Sequence, residues 1–78
     1  MPNISKNQTL TGSQVALATD ITNGLTLINS TAANLSFVVN SGAVCVLLPG
    51  QGVPLDVNNA SQVTVSGTGT VSYLINRI

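Results

Sequence analysis

The 78-residue chain carries two basic and two acidic side chains and no histidine, so charged residues are 5% of it against roughly 25% in an ordinary soluble domain. Lys6 and Arg77 alone cannot neutralise a row of phosphates, which argues against nucleic acid or an anionic membrane surface as partner. The groups that usually serve as acids, bases and metal ligands are nearly missing, and a lone cysteine, Cys45, allows no internal disulfide.

A domain this short buries only roughly 60–65% of the surface its unfolded chain exposes. With an internal disulfide excluded and a structural metal not expected, oligomerisation is the remaining way to add burial. In residues 1–13, Ile4 and Leu10 are isolated among Asn3, Ser5, Asn7, Thr9 and Thr11, with no face of either period. That stretch is predicted to be an extended N-terminal arm that orders on binding, the alternative being an ordinary frayed terminus. Its candidate partner contacts are Pro2, Asn3, Ile4 and Leu10. The start of the chain lacks the apolar run of a secretory signal, so the chain is expected to be made and kept in a cytoplasm until assembly.

The folded domain is predicted over residues 14–78. Val15 and Leu17 share a face in a short first strand, and Asn23-Gly24 is the strongest two-residue turn signal in the sequence, where a hairpin loop or a tight reversal is expected. Leu25 and Leu27 mark a second strand, residues 29–33 a loop with room for a brief helical turn, and Leu35, Phe37 and Val39 a third strand. After Asn40-Ser41-Gly42 comes the longest wholly apolar run, residues 43–48, far short of the roughly 20 residues a spanning helix needs. Cys45 inside it is expected to be a small buried hydrophobe, since no histidine exists to activate it. Gly50 and Gly52 are expected to supply unusual backbone angles in a turn, and Pro54 puts the strand of Val53 and Leu55 at a sheet edge. Asn58-Asn59-Ala60-Ser61 is a further turn. Val63 and Val65, then Val71, Tyr73 and Ile75, are the last two runs. Short alternating runs with Gly, Asn and Pro between them predict an all-β domain, a small antiparallel β-sandwich or jelly-roll-like fold. Five Asn-X-Ser/Thr triplets, at Asn3, Asn7, Asn29, Asn34 and Asn59, are read as a by-product of an Asn/Ser/Thr-rich composition.

Asp20 and Asp56 fall in different runs and read as turn or exposed positions rather than a paired-carboxylate site. Phe37 and Tyr73 both lie in apolar runs and read as core or interface residues. No enzyme activity, cofactor or small-molecule substrate is expected.

Asn40-Ser41-Gly42, the stretch Leu48-Pro49-Gly50-Gln51-Gly52-Val53-Pro54-Leu55-Asp56-Val57, and residues 62–74 with Val65-Ser66-Gly67-Thr68-Gly69-Thr70-Val71-Ser72-Tyr73 as a final hairpin resemble small β-sandwich accessory proteins of tailed bacteriophages. The resemblance spans about half the chain and carries no catalytic signature. It implies a capsid decoration, or cement, protein bound to the major capsid protein on the outside of the head, as a homotrimer or, alternatively, a dimer. A small tail, neck or fibre protein with a receptor- or glycan-binding role is the second expectation. A free-standing lectin is third and an enzyme last.

Overall fold

The computed structural model describes residues 3–76. Period-two alternation becomes eight strands: β1 Asn3–Thr11, β2 Val15–Ala16, β3 Leu25–Ile28, β4 Leu35–Val39, β5 Cys45–Leu47, β6 Gly52–Leu55, β7 Val63–Ser66 and β8 Thr68–Asn76. A 3-10 turn, Ala60–Gln62, is closed by a capping box in which Asn59 and Gln62 exchange side-chain and backbone hydrogen bonds. Two four-stranded sheets result, with strand orders β1-β8-β3-β6 and β2-β7-β4-β5.

The first strand pairs with the last, the second with the seventh, the third with the sixth and the fourth with the fifth, all antiparallel. One long hairpin has been rolled up, and the β3–β8 and β4–β7 ladders close the roll. This is the jelly-roll arrangement of two packed sheets, within the fold class expected. The sheets face each other across Leu25, Leu27, Val71, Tyr73 and Ile75 on one side and Leu35, Phe37, Leu47, Val63 and Val65 on the other, all buried. Period two explains the sorting, since each of these residues is separated from the next in its strand by one that faces outward.

Rolling requires corners where a strand pair leaves one sheet for the other. Between the β1–β8 and β2–β7 ladders, residues 12–14 lie opposite residues 66–67, one extra residue on the N-terminal side. Such a bulge bends the pair. Gly67 sits at the bend with φ +144 and accepts a hydrogen bond from Gly12 N (2.8 Å). A Cβ there would run into Leu35 Cδ2, so this corner requires glycine sterically as well as conformationally.

Several expectations are corrected. Residues 3–11 are no free arm. They form β1, paired with β8 from Asn3↔Asn76 to Thr11↔Thr68, and the sandwich begins at Asn3 rather than at residue 14. Pro2 lies outside the described residues. Asn23-Gly24 does not close a hairpin, because β2 and β3 belong to different sheets. Gly24 (φ +96) instead turns a crossing held by Gly24 N to Val57 O (2.9 Å), Asn23 N to Asn76 O (2.6 Å) and the Thr22 hydroxyl between the Gly24 and Asn76 carbonyls. The last two strands likewise cross between sheets at Gly67 and are not a hairpin. Among the described residues, the one hairpin between consecutive strands is β4–β5, turned by Asn40 and Ser41, both at positive φ, with Gly42 N bonded to Val39 O. Two positive φ values in succession match the twist of the flanking strands. Gly50 (φ +77) does turn the chain, whereas Gly52 lies in β6 opposite Ile28. Pro54 is on an edge strand, as its missing N–H requires.

Candidate interaction surface

The chemistry-bearing side chains lie far apart or are already engaged. Lys6 Nζ bonds Asp20 Oδ2 at 2.7 Å at the rim of the sandwich, and Asp20 is further tied in by its backbone, with N donating to Asn59 Oδ1 and O accepting from Ala60 N. Asp56 is exposed beyond β6. It borders a shallow depression of about 290 Å³ together with Thr26, Pro54 and Asn76, a lining with one carboxylate and one amide. Among the described residues, no three His, Cys, Asp or Glu side chains gather where they could hold a metal ion.

Buried polar groups serve the fold. Asn29, fully buried after β3, donates from Nδ2 to Ala33 O (2.8 Å) and Leu47 O (2.9 Å), and its Oδ1 accepts from Thr31 N and Oγ1. One side chain thereby shapes the β3–β4 loop and fastens β5, and among the described residues no buried side-chain polar atom lacks a partner. Tyr73 is buried on β8, opposite Lys6. Burial raises its phenol above the ordinary 10.0; Lys6 offsets this in part and Asp20 adds to it.

Of the partner contacts expected in the arm, Leu10 and Ile4 are taken up by the fold. Leu10 is 5% exposed within the core and Ile4 is half-buried against it. Asn3 is exposed at the start of β1. Apart from Ile21 (65% exposed), the large apolar side chains left uncovered lie on β5 and its flanks. Leu47 is fully buried, but Val44 (63% exposed), Val46 (55%) and Leu48 (52%) point outward, and the Cys45 thiol is exposed too, contrary to the buried position expected for it. Cys45 pairs with Phe37 at the outermost strand of its sheet, where no further strand covers it. Val38, half-buried on β4, continues this outer face, and Ser36 lies opposite Val46.

The four sheet edges are unequally defended. A strand edge is a template for further pairing, and proteins blunt edges with charges, proline or very short strands. β1 carries the ion-paired Lys6, β6 carries Pro54, and β2 is two residues long. β5 has none of the first two devices, and the sequence from Ser41 through Gly52 contains no charged residue. Sequence periodicity could not find this site, because all six residues of the run 43–48 are apolar and alternation therefore does not say which face is inside. Comparison with protein-family models, with characterised proteins and with solved structures finds no match.

Proposed function

We propose that the chain is a structural virion protein, a capsid decoration protein that binds the major capsid protein on the outside of a bacteriophage head and stabilises the shell. The reading rests on the phage resemblance of residues 40–42, 48–57 and 62–74 and on the jelly roll, an architecture that recurs in viral capsid and lectin domains. Fold alone does not assign a function, so the choice between those two classes falls to the surface. The observation that carries it is the burial of both aromatic residues of the chain, Phe37 and Tyr73, in the core. A sugar site normally offers an aromatic face beside polar groups, and this chain has none left for its exterior. Beside Ile28, Val38, Val46 and Leu74, its strands turn outward Ser5, Asn7, Thr9, Thr26, Thr64 and Ser72, and none of these is charged. This neutral hydrogen-bonding surface lets many copies crowd on a shell without mutual repulsion.

Self-association is part of this reading, as a trimer or a dimer. With Leu10 in the core, contact with the capsid falls to the exposed faces and loops. The test is the position and copy number of the chain on purified particles of the phage that encodes it, by cryo-electron microscopy and quantitative mass spectrometry. Density at regular positions on the head exterior, retained after a high-salt wash, is expected, because an interface with few charges is little screened. Density confined to the neck or tail, or none on particles, overturns the assignment.

A further inference from the structure

We propose that β5 is a homotypic docking edge, through which two copies of this chain pair β5 against β5 about a twofold axis to form one continuous eight-stranded sheet. The inference holds whether or not the chain belongs to a virion.

The occupant follows from charge and from the backbone. The open side of β5 and the outer faces beside it, with Ser36, Val38, Thr64 and Ser66, carry no charge, so a strongly acidic or basic partner finds nothing to pair with. A second copy is neutral in the same place. It also has no other edge to offer, since β1, β6 and β2 are blunted as described. β5 can therefore meet only β5, which closes a twofold dimer rather than propagating a filament.

The register is limited as well. Leu48 N–H is already donated to Gln51 Oε1 (2.9 Å), and Leu48 O accepts from Gln51 N (3.0 Å), so the open stretch ends at Val46. A continuous sheet sets outer-face residues opposite outer-face residues. Pairing over residues 44–46 then puts Val44 opposite Val46 of the second copy, covering both apolar side chains, and brings Cys45 opposite Cys45. Facing Cβ atoms in an antiparallel pair lie about 4.5–5.5 Å apart, close to the roughly 3.5–4.5 Å of a disulfide. Cys45 is thus a built-in reporter of this register.

The strip is small. A stable interface covers about 800 Å² on each partner, and the whole chain exposes 4249 Å². One short strand with its flanking valines supplies less than that, so the dimer is expected to be of micromolar rather than nanomolar strength.

The experiment uses the full chain under reducing conditions. Sedimentation from low to high micromolar concentration should show a monomer–dimer equilibrium. Val46→Lys, at an exposed position and checked for a native circular dichroism spectrum, should raise the dissociation constant about tenfold or more. Val44→Lys serves as the second variant should that one fail to fold. Diamide, added once the reductant has been removed, takes two electrons and two protons from facing thiols and is itself reduced to the hydrazine. It should convert the wild type rapidly to a Cys45–Cys45 disulfide dimer, the Val46→Lys chain slowly, and Cys45→Ser not at all. A wild type that stays monomeric throughout, a folded Val46→Lys or Val44→Lys chain that associates undiminished, or a trimer overturns the proposal. So does a monomeric chain that needs Val46 to bind phage heads, which would give the edge to the capsid.

Discussion

β1 and β5 each end a sheet, yet they use their apolar side chains in opposite ways. β1 is nine residues long, mostly polar, and spends its two large apolar residues, Ile4 and Leu10, on the chain's own core. β5 is three residues long inside a run of six apolar ones, and only Leu47 among them is buried. The long polar strand is structural and the short apolar one is exposed. Exposure at an edge is therefore decided by what lies across the sandwich, not by how hydrophobic the strand is.

Removing residues 1–10 should break the first half of this comparison, with the largest effect. An arm that orders only on binding could be cut without loss of the domain. A strand paired with β8 along its length, however, covers Val71, Tyr73 and Ile75 at the sheet edge. Its loss opens the core of a domain whose whole stability is roughly 5–15 kcal/mol. The truncated chain is expected to lose the cooperative thermal transition in far-ultraviolet circular dichroism, and a native spectrum with a sharp melt would return β1 to the status of a dispensable arm.

The two faces of β5 can be sharpened in the same way. Leu47→Ala empties a fully buried site and should cost about 2–5 kcal/mol. Val46→Ala and Cys45→Ser alter exposed positions and should stay within about 0.5 kcal/mol. Urea titration at low protein concentration, where association is negligible, measures the three. Comparable losses at positions 46 and 47 would mean that the strand is turned over or covered on both sides.

The strands of the second half were legible because most of their apolar residues alternate with polar ones: Val63 and Val65 with Thr64, Val71 and Tyr73 with Ser72, the pattern lapsing only at Leu74 before Ile75. β1 was not legible. Its inward positions are Ile4, Lys6, Gln8 and Leu10, and the two polar ones can face inward because they lie at an open rim, where Lys6 reaches Asp20. Turn chemistry misled in a different way. Asn23-Gly24 supplies the backbone freedom of a hairpin, but the same positive φ serves a crossing between sheets. Only long-range pairing distinguishes the two, and local sequence does not encode it. The exposed strip was hidden by its own uniformity, since a one-residue shift of register in residues 43–48 exchanges one apolar face for another.

The smallest effect concerns how well β1 covers its neighbour. Tyr73 lies opposite Lys6 on β8, and its phenol is held neutral above the ordinary 10.0 chiefly by burial. Below that pH the phenol is protonated in folded and unfolded chains alike, and its contribution to stability is complete. As pH rises past 10.0 the unfolded chain releases the proton while the folded chain still holds it. Unfolding is therefore favoured progressively, until the pH passes the folded-state value and the loss levels off. Wild type should thus lose stability in this alkaline window relative to Tyr73→Phe, which has no phenol to ionise. Other groups that titrate there are common to both proteins and cancel in the difference. Because Tyr73 is the only tyrosine, phenolate absorbance follows its ionisation directly, and in the native chain it should appear above the pH at which it appears in urea. Coincident titrations would mean that β1 leaves the ring open to water, and the contrast with β5 would then weaken at the strand that anchors it.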